Sequence, residues 1–139
     1  MSVEFSKAIY TRLMHDAGGG TNPLRTLVSD RIFAIEAPAQ TALPLVVYAV
    51  MGSQTSRDFG GTVKEVVQVS VTMFGKAEDG ADAILDIEDA AFDLLDQRTL
   101  AVSSYDRGYM RNISRGSAIL NGEYFSVESV FQISGNKTS

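Results

Sequence analysis

Apolar and polar residues follow their clearest pattern between residues 41 and 75, where the chain predicts two long strands joined in a hairpin. Residues 45–50 are apolar throughout and rich in β-branched side chains, which is typical of a central strand covered on both faces. Residues 63–74 alternate, and the face expected to be buried carries Val67, Val69, Val71 and Met73. A strand of this length predicts a hairpin that projects beyond the rest of the domain.

Helical periodicity marks the segments on either side of this hairpin. In residues 3–16, Phe5, Ile9 and Leu13 recur every four residues and form an apolar stripe, which the glycines at 18–20 end. Residues 78–95 predict a stronger helix with an apolar inner surface. Between the first helix and the hairpin, we expect a short helical turn at residues 23–29 and a short edge strand at residues 30–35.

After residue 100 the pattern predicts two terminal strands. Residues 102–114 form an irregular strand with a bulge at Gly108, residues 117–120 resume it, and Asn121-Gly122 signals a tight hairpin turn. Residues 123–134 alternate and close the sheet, and residues 135–139 are a polar tail that we expect to be flexible. The predicted fold class is therefore α+β, a mostly antiparallel sheet of about four to five strands packed against two helices in a single domain.

Charge is distributed unevenly along this chain, whose formal net charge is −5. Residues 76–97 hold eight carboxylates against one lysine, a balance of −7, whereas residues 98–139 hold five cations against three acids, a balance of +2. Within the predicted helix, carboxylates recur every three or four residues at Asp82, Asp86, Asp89, Asp93 and Asp96. This stripe is either a solvated face or a face that meets basic residues of a neighbouring subunit. The candidate basic partners are Arg98, Arg107, Arg111 and Arg115.

The loop at residues 54–62 carries a second candidate contact. Phe59 is an aromatic residue in a polar, glycine-bearing segment, directly after Arg57 and Asp58. Its ring either folds back onto its own sheet or serves as a docking residue for a partner. Arg57, Asp58 and Phe59 are therefore candidate interface residues.

The sequence predicts no catalytic, cofactor-binding or metal-binding residue, and we expect no enzymatic activity. The chain has no cysteine. Its one histidine, His15, lies near the predicted C-terminal end of the first helix, where the helix dipole favours a cation without any functional role. The glycines at 18–20 follow a helix and do not lead from a strand into one, so they do not form a phosphate loop. The chain begins without a signal-peptide pattern and contains no apolar run long enough for a membrane span, so we expect cytoplasmic synthesis.

Several short segments carry a family resemblance. They are Arg31-Ile32-Phe33 with Ala37-Pro38, then Thr41-Ala42-Leu43-Pro44 opening the strand at 45–50, and Met73-Phe74-Gly75 before the helix at 81–95. Together with the order of elements, they resemble the tail-completion or tail-terminator proteins of long-tailed phages and gene transfer agents. The resemblance extends over nearly the whole chain, but its motifs are short and structural.

The resemblance implies a subunit of a ring, usually six-fold, located in a virion or phage-like particle at the head-proximal end of the tail. Its implied partners are further copies of itself, the tail tube protein and the head-side connector or stopper protein, while DNA passes through the lumen without sequence-specific binding. No cofactor and no membrane partner is implied. Two alternatives stay open at this point, a head-side stopper or neck protein and an α+β domain that binds a small ligand.

Overall fold

The computed structural model describes residues 2–14, 22–57, 59–106 and 108–138. Within these residues, three α-helices and seven strands follow one another, with one turn of 3₁₀ helix (Ala77–Asp79) before the third α-helix. The helices are α1 (Ser2–Leu13), α2 (Pro23–Val28) and α3 (Gly80–Leu95). The strands are β1 (Ile32–Ala34), β2 (Leu45–Arg57), β3 (Val63–Lys76), β4 (Arg98–Leu100), β5 (Gly108–Arg115), β6 (Ile119–Asn121) and β7 (Tyr124–Asn136).

The strands form one sheet in the order β1-β2-β3-β7-β5-β4, and β6 pairs with β7 farther along the edge that β5 occupies. All pairs are antiparallel except β1 with β2, which is parallel. The predicted fold class is confirmed in outline, but the predicted number of four to five strands is too low. Strand β1 lies within the edge strand expected at residues 30–35, whereas β4 and β6 were not predicted as separate strands, because segments of three residues show no periodicity in sequence.

All three helices contact a core on one face of the sheet. The predicted inner face of β3 is fully buried there, and so are Phe5, Ile9 and Leu13 of α1. Helix α2 is the short helical turn expected from sequence, so the described residues hold three helices where two were predicted. Its cap, Asn22, accepts a hydrogen bond from the Leu24 amide at 3.0 Å and donates one to the Leu13 carbonyl at 2.9 Å, which joins the ends of α1 and α2.

The last long strand, β7, lies in the middle of the sheet between β3 and β5. It pairs with β3 from Tyr124 to Asn136, and the Lys137 amide continues the pairing with a 2.7 Å hydrogen bond to the Val63 carbonyl. The prediction of a flexible tail from residue 135 is therefore wrong for residues 135–138. Those residues are held by backbone hydrogen bonds. Their polar side chains do not reveal this pairing in the sequence.

Two other predicted boundaries also change. Helix α1 ends at Leu13, and the predicted helix end with His15 and the glycines at 18–20 lies outside the described residues. The predicted strand at 102–114 begins only at Gly108, and the register shift of β5 lies between Asn112 and Ser114 and not at Gly108. Gly108 is needed for packing, because a Cβ there would come within 2.7 Å of the Val102 side chain.

Candidate assembly surfaces

The β2–β3 hairpin was predicted to project beyond the body of the domain, but β7 pairs with β3 from Lys64 to Lys76 and so supports the hairpin on one side almost to its tip. Its two strands stay paired as far as Arg57 and Val63, so residues 54–57, predicted as loop, belong to β2. All residues of β2 from Met51 to Arg57 are exposed, because β1 covers the outer edge of β2 only at residues 46–48. The outer half of β2, residues 51–57, is therefore an exposed edge strand, and we call this edge together with Phe59 beyond it the hairpin arm.

Phe59 lies at the end of this arm, and its side chain is fully exposed. The interpretation in which the ring folds back onto its own sheet is therefore wrong. A fully exposed aromatic ring at the tip of a hairpin is the arrangement expected of a contact residue. Arg57 is exposed beside it, and Asp58 lies outside the described residues.

The face of the sheet opposite the helices holds an open apolar groove of about 430 Å³. Its floor includes Leu45, Val47 and Ala49 of β2, and Phe74 of β3 and Tyr124 of β7 stand at one end with ring centroids 5.9 Å apart. The prediction that residues 45–50 are covered on both faces is wrong, since Val47 and Ala49 are only half-buried. The apolar run reflects this groove as well as the core.

The acidic stripe lies on the outer side of α3. Asp82, Asp86, Asp89 and Asp93 are all exposed. Asp96, just past the helix, is half-buried, and its carboxylate accepts a 2.8 Å hydrogen bond from the Asn112 amide. The stripe is thus a solvated face in the isolated subunit, and a role in contacts between subunits stays a prediction.

One acid of α3 that the sequence analysis did not single out is buried. Glu88 is 3% exposed, and both its oxygens accept hydrogen bonds from Arg115 Nε, at 2.8 and 3.0 Å. A second guanidinium nitrogen of Arg115 contacts Glu88 and Asp89, and Ser129 Oγ donates a 3.2 Å hydrogen bond to Glu88. The guanidinium carbon also lies 4.2 Å from the ring centroid of Phe92. The Glu88 hydrogen bonds raise the pKa of Arg115 above its ordinary value despite partial burial.

This cluster bonds Arg115 to α3 of its own subunit, whereas Arg115 was one of four candidates for a contact with α3 of the next subunit. A bulge in β5 between Asn112 and Ser114 explains the difference. Arg111 and Arg115 are four residues apart and would share a face of a regular strand. The extra residue instead leaves Arg111 on the open face opposite Gln132 and turns Arg115 to the helix side, opposite Ser129.

The other three candidate cations, Arg98, Arg107 and Arg111, differ in whether their side chains are free for a contact with another subunit. Arg98 donates hydrogen bonds to the Asp93 carbonyl at 3.1 and 3.2 Å, and Arg12 donates one to the Leu94 carbonyl at 2.6 Å. Both satisfy carbonyls at the C-terminal end of α3, where the helix dipole also favours cations. Arg107 lies outside the described residues. Arg111 thus remains as an exposed basic residue of the predicted set, on the face of the sheet opposite α3.

A buried pair on the helix side is structural in character. The Tyr105 hydroxyl donates a 2.8 Å hydrogen bond to Glu65, and the Tyr105 ring contacts Phe5 at a centroid distance of 4.7 Å. Burial, together with the Glu65 carboxylate, raises the pKa of Tyr105 to about 12. A proton held so tightly is unsuited to acid–base exchange near neutral pH.

Metal and membrane features are lacking among the residues that the structure describes. These residues hold no group of three or more potential ligands that could bind a metal ion. None of their helices combines the length and apolar character that crossing a membrane requires.

Comparisons with known proteins relate the chain to solved structures alone. No protein-family model matches it, and neither does any curated protein sequence. A chain described as "Virion of native gene transfer agent (GTA) particle" is similar with a TM-score of 0.75 and 17% identity, over 97% of this chain and 96% of that chain. A second solved chain gives a TM-score of 0.61 and 17% identity, over 100% of this chain and 97% of the other. At this identity the likeness shows the fold, and this fold therefore occurs in a chain of a gene transfer agent virion.

Proposed function

We propose that this chain is a structural subunit of a phage tail or of a gene transfer agent particle. In this proposal, copies of the chain form a ring, usually six-fold, at the head-proximal end of the tail tube. The ring ends polymerisation of the tube and presents a surface to the head-side connector or stopper protein. DNA passes through its centre without sequence-specific contacts.

The observation that carries this proposal is the fold likeness to a chain of a gene transfer agent virion, which spans nearly the full length of both chains. The segments that resemble tail-terminator proteins lie within this shared fold. Strand β1 contains Ile32 and Phe33, and β2 begins directly after the segment Thr41-Ala42-Leu43-Pro44. A role in particle assembly also needs no reactive group, and the arrangement of Glu65, Tyr105, Glu88 and Arg115 is structural.

The distribution of surfaces supports a ring of head-to-tail contacts. The acidic side of α3 and the exposed Arg111 lie on opposite faces of the sheet, so the acidic side of one subunit can meet Arg111 of the next. Unlike surfaces on opposite sides of a subunit produce heterologous contacts, which close into rings when the rotation between subunits allows it. Acids left facing the lumen would repel DNA and let it slide.

Deletion of the gene from a producing strain tests this role. We expect filled heads and unattached tails of abnormal length in electron micrographs, and a plasmid copy of the gene restores joined particles. Normal joined particles without the protein would contradict the proposal.

Gold labelling of a C-terminally tagged chain distinguishes the tail side from the head side of the joint. In a strain that makes no heads, a tail-terminator carries the label to one end of the free tails. Label that is found only on isolated heads, in a strain that makes no tails, would indicate a stopper or neck protein instead.

A further inference from the structure

We infer that Phe59 of one subunit docks into the apolar groove on the open sheet face of a second copy of the same chain. The inference rests on the proposed ring and specifies one contact within it. It connects two features that the single chain leaves unsatisfied, the exposed ring at the hairpin tip and the uncovered groove at the hairpin base.

The groove has the chemistry and size to receive an aromatic side chain. Its floor is aliphatic, and the Phe74 and Tyr124 rings at its end are tilted by 58° to each other. Aromatic rings pack favourably in such tilted arrangements, so a third ring can add to this pair. Ile35, which is 77% exposed at the rim, would also lose contact with water on docking.

A subunit cannot fill its own groove. Val47 on the groove floor and Arg57 at the hairpin tip are ten residues apart on the same continuous strand, which separates them by about 33 Å at the usual rise of a strand. Because β2 is paired with β3 over this whole length, the tip cannot fold back. The occupant of the groove must therefore come from another molecule.

Charge favours a second copy as that occupant. Exposed Arg57 and Lys64 lie near the tip of the arm. Around the groove and the adjoining depression, Glu36, Glu78 and Glu123 outnumber one cation, Lys76, which lies 3.9 Å from Glu78. Opposite charges around an apolar contact fix its orientation and oppose wrong partners. The tip and the groove are different surfaces of one chain, so a contact that is not reciprocal is heterologous and propagates from subunit to subunit.

Cysteine trapping tests the contact directly, since the natural chain has no cysteine. The variant Phe59→Cys/Thr72→Cys places one thiol at the tip and one in the groove. The matched control Phe59→Cys/Gln68→Cys moves the second thiol along β3 on the same face, to a position outside the groove. A disulfide needs Cα atoms within about 7 Å, so neither variant can form one within a chain.

We expect mild oxidation to give the first variant a ladder of covalent oligomers on a non-reducing gel, and to leave the control largely monomeric. Equal cross-linking of the two variants, or none in either, would overturn the inference. A product that stops at the dimer would overturn the heterologous arrangement, because it would indicate reciprocal docking.

The single variant Phe59→Ala provides a second readout, and Leu120→Ala, another exposed apolar residue on a different strand, is its control. We expect Phe59→Ala to weaken association between subunits about thirtyfold, as loss of an aromatic hot spot does, and Leu120→Ala to leave it unchanged. Rings that form equally well with Phe59→Ala would refute this contact and leave the proposed function standing. Absence of cross-linking in Phe59→Cys/Thr72→Cys together with absence of rings in the wild-type chain would count against both.

Discussion

At the scale of single residues, the Glu88–Arg115 pair is the most consequential contact in the chain. Glu88 lies on the inner side of α3, and removing a carboxylate from water is costly unless hydrogen bonds and an opposite charge replace the lost hydration. Arg115 and Ser129 supply these replacements from two different strands. The pair therefore fixes the position of α3 on the sheet, and with it the direction in which the acidic stripe points.

Replacing Arg115 by alanine is expected to lower the free energy of unfolding by about 3 kcal/mol. This value is at the lower end of the cost of breaking a buried ion pair, because the Arg115 side chain is itself 38% exposed. Arg111→Ala removes the same charge from an exposed position of the same strand and should change stability by less than about 0.5 kcal/mol. Urea denaturation of both variants measures the difference. Equal losses of stability would show that the buried pair contributes nothing.

The sequence contained part of the information needed to find this pair. Glu88 follows Ile84 by four residues and precedes Ala91 and Leu95 by three and seven, so it occupies a core position of the helix. A charged residue at such a position predicts a buried partner. The identity of that partner was not predictable. The bulge that turns Arg115 toward α3 depends on pairing with β7, and the local sequence does not indicate it.

At the scale of elements, α3 combines a buried apolar side with a row of like charges. Carboxylates at intervals of three or four residues repel one another, and Asp93 also lies near the end of the helix where the dipole disfavours anions. Asp89 and Asp96 do bond within the chain, to Arg115 and to the Asn112 amide, so the acids that folding does not explain are Asp86 and Asp93. Their presence is better explained by a function outside the subunit, which agrees with the proposed contact between subunits or with a DNA-repelling lumen.

The variant Asp86→Asn/Asp93→Asn separates folding from assembly. We expect it to be as stable as the natural chain, or more stable by about 0.5 kcal/mol through relief of repulsion. Assembly at low salt should weaken, because Arg111 of the next subunit loses its partner. Asp79→Asn/Asp106→Asn removes two exposed charges from outside the stripe and serves as the control in sedimentation experiments. If the stripe variant assembles as well as this control, the stripe has no role in contacts between subunits.

The elements with long regular patterns, namely α1, α3 and the β2–β3 hairpin, were predictable from sequence. Strand β7 was recognised, but its central place in the sheet and its extension to Asn136 were not, since both depend on pairing with β3. The parallel pairing of β1 was missed for the same reason, because three residues carry no information on direction. The open groove was missed because an apolar run does not reveal whether both of its faces are covered.

At the scale of the whole molecule, the chain has two ends of different character. One end carries the exposed hairpin arm with Phe59, and the other carries the apolar groove. The acidic face of α3 and the open sheet face add a second polarity across the sheet. Unlike surfaces of this kind can join copies in one direction, and closure of such a series gives a ring.

Native mass spectrometry of the purified chain over a wide range of protein concentration tests this account most directly. The account predicts a closed ring as the dominant assembly, with a hexamer of six 15.0 kDa chains near 90 kDa as the expected species. Loss of this species in Phe59→Ala would connect the ring to the hairpin arm. A chain that remains a monomer, or that stops at a stable dimer at every concentration, would contradict the account.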